Sequence, residues 1–169
     1  MSIAVSRTCV AIALALAPAS VFAVEPDQMF PQLDACLDAA KQQLEGQPIR
    51  WQLTGNQDPY SFDIDIVAPS DRVWNMKCSG GKVSDVNRKT GTKNYKMLSS
   101  RVKVPEVSAR FTALGAYPIA ELKKMEYGLT LRGRAYFSYE MSLNDGRDAT
   151  VDVNAETGQI DRSKSERND

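Results

Sequence analysis

The sequence predicts an α+β protein of two tandem repeats, each one helix followed by a four-stranded antiparallel sheet. Three features predict it. Apolar residues recur every three or four positions from Phe30 to Leu44, then every second position from Ile49 to Cys78. The same change of period returns after Pro105. The halves also align at an offset of about 76 residues, the mark of an internal duplication. Trp51 aligns with Tyr127, Leu53-Thr54 with Leu129-Thr130, Phe62 with Phe137, Gly81 with Gly158 and Val83 with Ile160.

Residues 1–23 read as a cleavable signal peptide. Arg7 is the only charge before Glu25, Cys9 to Leu16 is a short apolar run, and Val21-Phe22-Ala23 places cleavage after Ala23. The run is about half of the roughly 20 residues that span a bilayer, so no stable membrane insertion is expected. A periplasmic or secreted protein follows.

Residues 24–87 form the first predicted repeat. Phe30, Leu33, Leu37, Ala40 and Leu44 line one helix face, with Cys36 on the same side. Pro31 fits a first helical turn, which puts the start near Phe30, and Gly46 with Pro48 ends it. Ile49-Trp51-Leu53, Tyr60-Phe62-Ile64-Ile66 and Trp74-Met76-Cys78 are the inward residues of three strands. A short fourth strand runs from Lys82 to Asn87. Residues 88–104 read as a solvated basic linker, since Arg88 to Lys103 holds six basic residues and no acidic one.

Residues 105–169 repeat the plan. Pro105 opens a short helix with Val107, Phe111 and Leu114 in register. Tyr127-Leu129-Leu131 and Ala135-Phe137-Tyr139-Met141-Leu143 alternate inward, and Asn144-Asp145-Gly146 is a hairpin signal. Ala149-Val151-Val153 and Gln159 to Arg162 close the sheet, and the charged tail from Asp161 is expected to fray.

Cys36 and Cys78 survive cleavage. An even count in an exported chain reads as one disulfide, and parity puts both sulfurs on inward faces. Two free buried thiols are the alternative.

Lys and Arg number 21 against 21 Asp and Glu, which leaves no basic excess for a nucleic-acid partner. There is no histidine, no nucleophile elbow and no phosphate-cradling loop, so no catalytic residue, cofactor or metal site is assigned. The chain reads as a non-enzyme. The acidic turn residues Asp145, Asp148, Asp152 and Glu156 lack the spacing of a calcium loop. Tyr136 has outward parity, flanked by Arg132, Ser138 and Glu140, while Asp63 and Asp65 add charge from the first half. An exposed tyrosine on a rigid strand is a good contact anchor, so these six residues form the candidate binding surface.

The run from Tyr127 to Ile160 resembles the PepSY domain. Tyr139-Glu140-Met141, the Asp145-Gly146 turn and the closing hairpin Val153-Asn154-Ala155-Glu156-Thr157-Gly158-Gln159-Ile160 carry the resemblance, with Asn154 in place of the usual aspartate. Ser79-Gly80-Gly81-Lys82-Val83 is a looser counterpart in the first half. The resemblance implies an exported, non-catalytic module whose partner is a periplasmic or secreted protein, and a peptidase that it inhibits or regulates is the expected class. The alternative is a small-ligand or ion-binding module, or a structural or envelope-stress interaction protein.

Overall fold

The computed structural model describes residues 26–167; the signal segment lies outside the described residues. In chain order the elements are α1 (Pro26–Leu44), β1 (Gln47–Gly55), β2 (Ser61–Val67), β3 (Arg72–Ser79), β4 (Lys82–Thr92), α2 (Tyr95–Arg101), α3 (Glu106–Ala116), β5 (Glu121–Leu129), β6 (Ala135–Ser142), β7 (Arg147–Asn154) and β8 (Ile160–Arg167). The α+β class and the helix-then-strands order match the expectation.

The two separate four-stranded sheets do not. All eight strands form one antiparallel sheet in the order β4-β3-β2-β1-β5-β6-β7-β8. The seam is β1 against β5, where Arg50, Trp51 and Gln52 pair with Glu126, Met125 and Lys124. Two isolated sheets would each leave a first strand with an unpaired edge, and joining them satisfies both edges over these residues.

One face of the sheet is covered. Trp51, Phe62, Ile64, Met76, Met125, Phe137 and Tyr139 are buried on it. There α1 packs on the first four strands and α3 on β6, β7 and β8, while α2 buries Leu98 in the same core. Cys36 of α1 is bonded to Cys78 of β3 across that interface, with Cα atoms 5.8 Å apart. The disulfide joins the first helix to the sheet as the parity of the two cysteines requires.

Several local expectations are corrected. Helix α1 begins at Pro26, so Pro31 lies inside it, at the loss of one bond to the carbonyl four residues earlier. Trp74 has the inward parity but is only half-buried, opposite Arg88 of the edge strand β4. The linker of residues 88–104 is largely structured: Arg88 to Thr92 prolong β4, and α2 follows with the Asn94 side chain accepting from Met97 N–H at 2.8 Å. The buried face of α3 is Ala109, Arg110 and Ala113, not Val107 and Phe111. The two alanines, four apart, let the helix lie close to the sheet, and Arg110 is drawn inward by carboxylates. Leu131 is fully exposed in the β5–β6 turn, which closes through Thr130 and Gly133 (φ +75°). The tail from Asp161 is ordered as β8, paired with β7 from Val153–Ile160 to Arg147–Arg167.

Candidate binding surface

Strand parity places the second set of side chains on the face opposite the helices. A run of charges crosses the sheet there. Asp65, 4 % exposed, accepts from Lys89 at 2.9 Å and from Asn75 at 2.8 Å, with Arg50 at 3.7 Å. Arg50 also approaches Glu126 at 3.5 Å, Glu126 approaches Lys124 at 3.0 Å, and Lys124 donates to Glu140 at 2.9 Å. Partial burial works to lower the Lys124 pKa, but the bonds to Glu140 and Glu126 outweigh it and leave the ammonium raised. The chain of contacts therefore runs from β4 through β2 and β1 to β5 and β6, bridging the seam between the halves.

Beside it, Tyr136 of β6 stands opposite Gly128 of β5. A Cβ on Gly128 would lie 2.5 Å from the Tyr136 Cζ and Oη, so the phenol rests on bare backbone. Ser138 follows on the same face, between Glu126 and Asp152 in register. A shallow depression of about 460 Å³ adjoins Glu140 and is walled by Thr150, Arg162 and Lys164.

The six expected surface residues are thus divided. Tyr136, Ser138 and Glu140 share one strand face of the second half. Asp63 is half-buried on β2, and Asp65 is buried and fully engaged by its partners, which makes it a structural counter-ion. Arg132 projects from the β5–β6 turn and not from a strand. Among the acidic turn residues, Asp145 is bonded to Arg147, Asp152 to Arg162 and Glu156 to Arg101. Among the described residues no three His, Cys, Asp or Glu side chains gather as a metal-binding group.

Sequence reasoning missed a buried polar cluster under the helices. Glu106 of α3 accepts from the Trp51 indole at 3.2 Å and the Tyr139 hydroxyl at 3.3 Å, and Arg110 lies 3.3 Å away. Arg110, 1 % exposed, also pairs with Asp34 of α1 and lies 5.1 Å from the centroid of the Phe30 ring. Burial pushes the Glu106 carboxyl up, partly offset by Arg110, and burial followed by the Glu106 charge pushes the Tyr139 phenol well up. A carboxylate in the first turn of a short helix reads in sequence as a favourable end charge, so nothing there signals burial. The cluster ties both halves together: α1 and β1 on one side, α3 and β6 on the other.

Among the described residues these features define a class: a helix-backed antiparallel sheet with one open, charge-laced face. Residues 103–160 match the family model PepSY, described as the peptidase propeptide and YPEB domain, and that stretch of the chain is a PepSY domain. No curated protein matches the chain. Among solved structures, a candidate lipoprotein of Clostridium difficile 630 is similar at a TM-score of 0.56 and 13 % identity, covering 85 % of this chain and 98 % of its own. The YpeB C-terminal domain of Bacillus megaterium aligns at a TM-score of 0.32 and 12 % identity, covering 80 % of this chain and 66 % of its own. The first of these likenesses extends the shared fold across both halves. Among the described residues no helix is long and apolar enough to cross a membrane.

Proposed function

We propose that the chain is an exported, non-catalytic protein that binds a partner protein through the helix-free sheet face, and that the partner is a peptidase. The observation that carries this reading is a coincidence of place. The PepSY match covers the half of the sheet whose open face presents Tyr136, Ser138 and Glu140. Side chains fixed on paired strands lose little freedom on association, which keeps the ordering cost of binding low. The peptidase class rests on the family's description, and export rests on the signal-like residues 1–23 together with the Cys36–Cys78 bond.

Purified disulfide-bonded protein is mixed with a thermolysin-type metallopeptidase, and hydrolysis of a reporter peptide is followed. The expected result is saturable inhibition, weakened by Tyr136→Ala. Unchanged hydrolysis, with no complex on gel filtration, contradicts the reading.

A further inference from the structure

We propose that the corner formed by the start of β3, the end of β4 and α2 is a contact surface for a lipid bilayer with anionic headgroups. The motive is an uneven distribution of charge pairing. Arg72, Lys82, Arg88, Lys93, Lys96 and Lys103 are all exposed and make no ion pair among the described residues; beyond residue 103, Arg132 is the one other such cation with a described side chain. Elsewhere the surface intersperses both signs.

Four of the six meet at one place. Arg72 pairs in register with Thr92, Arg88 pairs with Trp74 two residues along β3, and the Lys93 amide donates to Asp71 O at 3.0 Å. Lys96 is the second residue of α2. Asp71 at the corner is occupied by the Tyr95 amide at 2.7 Å, and Asp65 and Glu126, which line one recess with Lys93, are already engaged by Lys89, Arg50 and Lys124. Unneutralised cations repel one another, so gathering them favours an external anion.

The apolar neighbours select its kind. Met97 is 44 % exposed beside Lys93 and lines a recess of about 230 Å³ with Leu98 and Leu129. Cations next to an exposed apolar side chain match a bilayer interface, where ammonium groups meet phosphates and the thioether reaches the acyl boundary. The cations are spread over two strands, the connection after them and a helix, with no bidentate arginine pair, an arrangement suited to a fluid field of headgroups more than to the fixed carboxylates of a protein.

The corner adjoins the open face at Gly128 and Glu126 but does not include Tyr136, and its test is separate. Disulfide-bonded protein is sedimented at low salt with vesicles of phosphatidylcholine alone, with vesicles containing about a third phosphatidylglycerol, and mixed with soluble polyglutamate. The expected result is binding to the anionic vesicles only, weakened by added salt. The double variant Lys93→Glu/Lys96→Glu, checked for an unchanged melting transition, should lower the bound fraction about tenfold, and Tyr136→Ala should leave it unchanged. If that double variant does not melt as wild type does, Arg72→Gln/Arg88→Gln is read instead, with the same loss expected. Equal sedimentation with neutral and anionic vesicles, sedimentation with neither, an undiminished charge variant, or binding to polyglutamate without binding to vesicles overturns the proposal.

Discussion

Tyr136 lies across Gly128, its partner on the neighbouring strand, with the phenol occupying the space that any larger residue at 128 would fill. A glycine in a strand interior weakens the strand, and a cross-strand aromatic compensates by covering the backbone. The pair therefore fixes the orientation of the one tyrosine that the open face of the second half presents.

Gly128→Ala tests that relationship. The added methyl displaces the ring and should destabilise the fold by about 1–3 kcal/mol, the range for overpacking. Chemical denaturation gives the stability, and the near-ultraviolet tyrosine signal reports the ring. An unperturbed signal with unchanged stability means the ring does not rest on Gly128.

The Cys36–Cys78 bond closes a long loop from α1 to β3. In the chain-entropy model its reduction removes about 4 kcal/mol. Denaturation midpoints with and without reductant measure the loss, and identical midpoints contradict the bridge.

Trp51 is fully buried and Trp74 is half-buried. Trp51→Ala should cost about 3–5 kcal/mol, and more than its cavity alone because Glu106 loses a donor. Trp74→Ala should cost less. The reverse order in urea titrations contradicts the packing described.

Glu106 supplies a pH dependence whose sign is fixed. Its carboxyl is raised in the folded state, so folding takes up a proton between the ordinary value and the raised one. Wild-type stability from this group is therefore present at the ordinary carboxyl value and lost as pH climbs through the folded value. Glu106→Gln lacks that loss. The melting temperature of the variant minus that of wild type should rise as pH increases across the window, and a flat or falling difference contradicts the raised carboxyl.

Strand interiors were legible because a period of two is a direct geometric consequence of the pleat. Phe137, Tyr139 and Met141 all fall inward as read, and so do Cys78 and its partner Cys36. The β1–β5 seam was not legible, since local periodicity describes which face a residue takes and not which edges meet. The spacing of Val107, Phe111 and Leu114 points to one face of α3, but Ala109 and Ala113 take the buried face because small side chains permit closer packing of α3 on the sheet. The site divided in the same way. Parity places Tyr136, Ser138 and Glu140 on one strand face, whereas the burial of Asp65 depends on Lys89, Asn75 and Arg50 converging from three other strands.

The proposed docking site is the sheet face that the described helices leave uncovered. Photo-crosslinking from a benzophenone residue at position 136 or, on the helix side, at exposed Phe111 tests it most directly, with the peptidase present and the protein oxidised. Docking on the sheet face gives a covalent adduct from position 136 and none from position 111. Adducts from position 111 alone, or from neither position, contradict it.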